Sequence, residues 1–474
     1  MRKQIYGLIF LLVVGIFTGA PQAAAYSASG GLFDFGKNPP LSGAADSALI
    51  NLHYGTAILN AAGRERAAQG VRLVSFERRH ILDRIYHYSF ILKIGPGAFD
   101  RIGLHRVVKE KAPLVPIHTP DAVMMVHGAF SNFEGFLNPG ESTPQDHSLA
   151  VYLAQENIDV WGIDLRWTLI PTQTSDLSFM KDWNIQTHLD DIRLALQISR
   201  LVRWPSGGDH KMLLLGFSLG SQYAYAFAEQ EATLLPGQRL VKGIIPMDSS
   251  LVVDPAATEV VEAARGRYQA AKALYESGIY YNDTALVYKY LAQLGATAPD
   301  EPSEVFPGFT NKQAMLFTAT ATYYTFTPPE GPYSPWFHML AGEFDESGMP
   351  LRLQFTNYDY MLDYTFAIPN YTGLLELIQS DALWCGAEDL PYDDHLGLVT
   401  VPVFYVTAAG GEGGRYGLYN LGLLASPDKT SLIVQFYPDE AAALDFGHLD
   451  LLTADHAQEL VWQPIRAWIK AHRK

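Results

Sequence analysis

Gly216-Phe217-Ser218-Leu219-Gly220 sets a serine between two glycines. The apolar run Lys211-Met212-Leu213-Leu214-Leu215 leads into it, and an Ala- and Tyr-rich stretch with helical character follows from Leu219 to Gln230. A serine on a sharp turn between a strand and a helix presents its hydroxyl outward, and the crowding there leaves no room for side chains at the flanking glycines. The helix N-terminus also favours the negative charge that develops during nucleophilic attack. A hydroxyl is a poor nucleophile without a base. His448, in Asp445-Phe446-Gly447-His448-Leu449-Asp450 between the last strand and the last helix, is the candidate base; His456, His395 and His338 are weaker rivals. One carboxylate must orient the imidazole. Glu412, in the loop Ala408-Ala409-Gly410-Gly411-Glu412-Gly413-Gly414, is the first choice, and Asp248, ending the strand Gly243-Ile244-Ile245-Pro246-Met247, is the second. The backbone amides of Leu219 and of Ala129, just after His127-Gly128, are the candidate oxyanion donors. His127 itself reads as structural.

Patterned elements of two kinds must hold these residues. From Val71 to about Lys111, strand-like runs such as Tyr86–Leu92 and Leu104–Val108 flank Gly95-Pro96-Gly97, which predicts a hairpin or meander. Strands and helices then alternate. Ala122–Val126, Ile158–Asp164, Lys211–Leu215 and Leu240–Met247 are the strands, with helices over 147–156, 184–203 and 219–230. Such alternation predicts a mostly parallel central sheet flanked by helices, an α/β fold. It stops near Leu251, resumes with Val401–Val406 and Ser431–Phe436, and ends in a helix from Ala454 to about His472. The organisation expected is a signal peptide over 1–25, an extension over 26–80, a core over 81–250 and 400–474, and a large cap over 251–399 inserted between core strands.

The chain resembles the α/β-hydrolases, in particular the lipase and esterase group. Met125-Val126-His127-Gly128-Ala129, Asp159-Val160-Trp161-Gly162-Ile163-Asp164-Leu165-Arg166, Gly216-Phe217-Ser218-Leu219-Gly220 and Gly447-His448 occur in that family's order and spacing. Asp159-Val160-Trp161 with Arg166 is similar to the acid lipases. The likeness covers about 120–250 and 400–474. It implies the chain order serine, acid, histidine, with Ser218 as nucleophile, His448 as base, and ester hydrolysis through an acyl-enzyme. The chain departs from the pattern at Phe217, where acid lipases carry histidine, and in the Gly-rich loop, which lacks the expected aspartate; the choice between Glu412 and Asp248 therefore stays open.

Composition narrows the partners. Against 34 Lys and Arg stand 50 Asp and Glu, a net charge of −16 that repels phosphate backbones and argues against nucleic-acid binding. At the N-terminus, Arg2 and Lys3, the apolar run Ile5–Phe17 and Ala23-Ala24-Ala25 have the three-part form of an export signal, which predicts a periplasmic or extracellular protein. Cys385 is the lone cysteine and reads as a small core residue. Asp393-Asp394-His395 lacks partners at metal-ligand spacing, no phosphate-binding glycine motif follows a strand, and no cofactor is expected. Aromatic residues are dense over 317–384, among them Tyr323, Tyr324, Phe326, Tyr333, Trp336, Phe337, Tyr358, Tyr360, Tyr364, Phe366 and Trp384, and Phe130, Phe133 and Phe136 follow His127. Most belong to a core; Phe130 and Phe217 are the candidates to touch substrate. A neutral apolar ester, small or lipidic, is the expected substrate, with transient lipid-surface contact left open. An amidase, peptidase or polyester depolymerase on the same scaffold, or a catalytically dead binding protein, is the alternative.

Overall fold

The computed structural model describes residues 71–138, 140–208, 210–320 and 337–473. The expected export signal, residues 26–70, and Tyr323, Tyr324, Phe326, Tyr333 and Trp336 lie outside them. A mixed ten-stranded sheet organises the chain. Nine of its strands are β1 (Arg72–Leu82), β2 (Ile85–Lys93), β3 (Arg101–Ala112), β4 (Ala122–Val126), β5 (Asp159–Asp164), β6 (Met212–Phe217), β7 (Val241–Met247), β8 (Val403–Ala408) and β9 (Lys429–Val434). They lie in the order β1-β2-β3-β5-β4-β6-β7-β8-β9, and the two-residue strand Val115–Pro116 pairs with β3.

The first three strands form the expected antiparallel meander, turned by Gly95–Gly97. β3 meets β5 antiparallel, and from β5 to β9 every pairing is parallel. Burial follows from this. Every residue of β4, β5, β6 and β8 is buried, as strands covered on both faces must be, whereas β1 at the sheet edge alternates between exposed and half-buried. Because β1 pairs with β2 along its length, the sheet begins earlier than the core boundary expected at residue 81.

Helices α1 (Leu149–Gln155), α2 (Ile185–Gly207) and α3 (Leu219–Ala232) connect the parallel strands. Between β7 and β8 lie α4 (Thr258–Glu276), α5 (Thr284–Thr297), α6 (Asn311–Thr320), α7 (Tyr358–Ala367) and α8 (Leu374–Cys385). The C-terminal helix expected from Ala454 is shorter and broken. A turn of π-helix over Gln458–Trp462 precedes α9 (Gln463–Ala471), because Pro464 cannot sit inside a continuing helix but suits the first turn of a new one. Among the described residues no helix is long and apolar enough to cross a membrane.

Candidate active site

Chemistry-bearing residues gather at the C-terminal ends of β4, β6, β7 and β8, where a parallel sheet delivers successive loops to one edge. β6 ends at Phe217 and α3 starts at Leu219, so Ser218 alone makes the turn, with φ 58° and ψ −127°. A non-glycine residue holds such a conformation only when its surroundings over-determine it. Here the Ser218 amide donates to Met247 O at 2.8 Å, while the Ser221 hydroxyl lies 2.8 Å from Gly216 O and 2.7 Å from Met247 O. The glycines are steric necessities. A β-carbon at 216 would stand 1.9 Å from Gly220 O, and one at 220 would stand 2.2 Å from Val126 O. A β-carbon at 128 would stand 2.4 Å from Ser218 Cβ and 2.9 Å from its hydroxyl, so Gly128 forms the floor beneath the serine.

The structure brings His448 to this turn. Phe217, immediately before Ser218, stacks on the imidazole with ring centroids 4.5 Å apart, and Phe337 meets its edge at 5.7 Å. His448 Nδ1 lies 2.5 Å from Asp248 Oδ2, which leaves Nε2 as the nitrogen free to exchange a proton with a substrate or nucleophile. Asp248 is fully buried and also has positive φ, 59°. Its Oδ1 accepts from the Thr407 hydroxyl and from Ala408 N at 3.1 Å, and its Oδ2 accepts from Glu412 N at 3.1 Å. A carboxylate held by four donors is fixed in place, as an imidazole-orienting group must be.

Of the two carboxylates expected for the acid, the second choice, Asp248, touches His448, and the first, Glu412, meets Asp248 through its backbone amide. The two candidates arrive side by side because β7 and β8 are neighbours with Val406 paired to Met247. Glu412 contributes its backbone amide to Asp248 and keeps its side chain, half-buried, beside the pair. Of the rival histidines, His338 is buried with Nε2 2.6 Å from Asp445 O, and burial pushes it down to about 4 despite the pull of that carbonyl and of Asp445 and Asp248. His395 lies 3.0 Å from Glu229, and His456 is exposed in a turn before the π-helix.

Oxyanion donors need amides free of other duties. Leu219 N belongs to the first turn of α3, where the helix itself supplies no acceptor. Ala129 follows Gly128 in the loop after β4. That loop is held from below by residues the sequence reading assigned no active-site role. His127 is buried, donates from Nδ1 to Gly128 O at 2.8 Å and accepts from Leu165 N at Nε2 at 3.2 Å. Burial drives it further toward the neutral form that this bonding requires. Asp164 Oδ1 takes the Phe133 amide at 2.7 Å, and Oδ2 meets His105 at 3.0 Å. Burial would raise Asp164, yet His105, His127 and that amide hold it at about 2. Asp164 lies in the Asp159–Arg166 run, but only the pairing of β3 with β5, with Gly103 opposite Asp164 and His105 opposite Gly162, brings His105 to it.

The two expected substrate contacts differ. Phe130 is half-buried, has φ 53°, donates its amide to Thr372 Oγ1 at 3.0 Å and packs against Tyr364 and Ile368. Phe217 is buried beneath the imidazole, wedged between His448 and Phe136, and supports the base instead of lining open space. Phe337, one of the aromatics dense over 317–384, is the one that meets the edge of His448.

No protein-family profile matches the chain, and no curated protein matches it. Solved structures do. A proposed lipase from Sulfolobus solfataricus superposes with a TM-score of 0.55 at 16% identity, covering 84% of this chain and 99% of that one. A soluble variant of monoglyceride lipase from Saccharomyces cerevisiae gives 0.42 at 12% identity, over 85% and 96%. The monoacylglycerol lipase of Paleococcus ferrophilus gives 0.41 at 12%, over 75% and 97%. The chain has the α/β-hydrolase fold.

Proposed function

We propose that this α/β-hydrolase-fold protein is a serine carboxylic-ester hydrolase that works through Ser218, His448 and Asp248. One observation supports the reading most: the residue before Ser218 stacks on the imidazole that Asp248 holds, which sets base and acid beside the serine's turn. His448 Nε2 takes the Ser218 proton as the hydroxyl attacks the ester carbonyl. The oxyanion rests on the amides of Leu219 and Ala129. The imidazolium, steadied by Asp248, then protonates the leaving alcohol, and water releases the acid by the same route. The aromatic rings of Phe130, Phe337 and Tyr364 near the site favour a neutral, apolar acyl or alcohol group.

Hydrolysis of p-nitrophenyl esters of increasing chain length tests this. Ser218→Ala should abolish turnover with the fold intact, and Asp248→Ala should lower kcat by roughly 10³- to 10⁴-fold. Glu412→Ala should cost far less than Asp248→Ala. A Ser218→Ala variant that turns over esters at the wild-type rate would contradict the assignment.

A further inference from the structure

Glu412 stands out from its own loop. It is the lone side-chain-bearing residue within Gly410-Gly411-Glu412-Gly413-Gly414. The glycines on either side have a reason to be glycines. A β-carbon at 411 would stand 2.2 Å from Asp248 Oδ2, and one at 413 would stand 2.3 Å from the Tyr405 hydroxyl and 2.8 Å from Ser249 N. The loop is therefore pressed against the Asp248 carboxylate and keeps one side chain, an ionisable one. Nothing in the backbone bonding requires that side chain, because the bond to Asp248 comes from the Glu412 amide. A half-buried carboxylate beside another carboxylate is costly to keep unless its charge has a use.

We propose that Glu412 is a positioning residue of this site: a second carboxylate beside the His448–Asp248 pair whose negative charge makes the imidazole a stronger proton acceptor. The inference rests on the serine-hydrolase reading above. The same Asp248 oxygen that takes His448 Nδ1 at 2.5 Å takes the Glu412 amide at 3.1 Å, so the Glu412 backbone lies one acceptor atom away from the imidazole. The charged and titratable groups around it come from each neighbouring element. Asp248 follows β7, and Tyr405 lies on β8. Arg267 on α4 is held by Asp381 of α8 through bonds of 2.6 and 3.0 Å, with Cys385 nearby. His338, in the stretch after α6, donates its amide to Gly410 O at 3.0 Å. Burial raises Glu412 on balance, with Asp248 pushing the same way and His448 and Arg267 pulling it down. Arg267, held by Asp381, pulls Glu412 toward its ionised form.

A negative charge that near makes the imidazole take up a proton more readily. Its removal should weaken the base and let it stay neutral at lower pH. The probe is a fluorophosphonate, whose rate of attachment to Ser218 is followed against pH in wild type, Glu412→Gln, Glu412→Asp and Ser218→Ala. The backbone bond to Asp248 survives both changes at 412, since the amide donates it. In Glu412→Gln the acid limb of the rate profile should move down by about half to one pH unit, with a loss of several-fold at the plateau, while Glu412→Asp stays near wild type. A limb that stays in place in Glu412→Gln, with Ser218 still labelled, overturns the role for Glu412 and leaves the serine mechanism standing. If Glu412→Gln does not fold, Glu412→Asp and Glu412→Ala carry the comparison, and an unmoved limb in Glu412→Ala overturns the proposal equally. Wild-type protein that takes no label at Ser218 overturns the serine reading, and this inference falls with it.

Discussion

A buried carboxylate two residues from His448 does structural work that pH can switch. Asp450 Oδ2 accepts from Gly447 N at 2.8 Å and Ala341 N at 2.9 Å, and Oδ1 accepts from the Thr356 hydroxyl at 2.6 Å. It ties the loop that carries His448 to the segment that follows Leu340. Burial raises it to about 6, against those three donors and with Asp445 pushing the same way. The sign of the consequence follows. Between the unfolded value near 4 and the folded value near 6, the native protein keeps a proton that the unfolded chain has released, so stability falls as pH rises through that window and then levels off. Asparagine at 450 can still accept both amides at Oδ1, and Thr356 can turn its hydroxyl to Thr453 Oγ1 at 3.1 Å. Asp450→Asn should therefore be tolerated and should remove the slope. Urea midpoints should show the variant gaining about 2–3 kcal/mol on wild type between pH 4 and pH 7; equal slopes in the two proteins would show that Asp450 is not protonated in the native state.

The strand ends set what each residue type can be. Phe130, Ser218 and Asp248 all have positive φ, and all three sit just past a parallel strand, after β4, β6 and β7. Backbone strain of this kind costs about 1–3 kcal/mol per residue and persists where neighbours enforce it. Gly128 is the matching absence of a side chain. Alanine there would bring Cβ within 2.4 Å of Ser218 Cβ, so the elbow or the loop after β4 must shift. Gly128→Ala should lower kcat/KM by roughly 100-fold or more through the displaced oxyanion amides, with thermal stability reduced far less; wild-type activity in that variant would mean that the loop does not deliver the oxyanion donor. Much of this scale was legible in the sequence. Apolar runs broken by turn residues marked the sheet, and glycines flanking a serine marked the elbow. Which carboxylate would touch His448 was not legible, because β7 and β8 are parallel neighbours and whatever follows either strand reaches the same place. Only the side-chain contacts separate a carboxylate that touches His448 from one that lends an amide. The C-terminal helix was overextended at its start, where Ala454 is extended with ψ 145° and the helical backbone begins only after it.

Across the whole molecule, the site is built from parts far apart in the chain. The stretch from Phe337 to Ala341 lies between two core loops. His338 N donates to Gly410 O at 3.0 Å, while His448 N and Leu449 N donate to His338 O at 3.1 Å and Met339 O at 2.7 Å. Residues between β7 and β8 thus form part of the frame for the base. α8 is fixed to the core by Glu376, which is fully buried, takes the Tyr223 hydroxyl of α3 and lies 3.0 Å from His188 of α2. The Trp384 indole donates to Ser250 O at 2.8 Å. No sequence periodicity announces contacts of this kind, since they join irregular backbone to irregular backbone. They make reactivity at Ser218 a property of the complete fold. The most direct test of the central claim is therefore to treat the folded protein with a fluorophosphonate and locate the adduct by mass spectrometry. The account predicts one equivalent of label on Ser218, lost in urea and lost in His448→Ala. A folded protein that stays unlabelled, or carries its label on another residue, would contradict it.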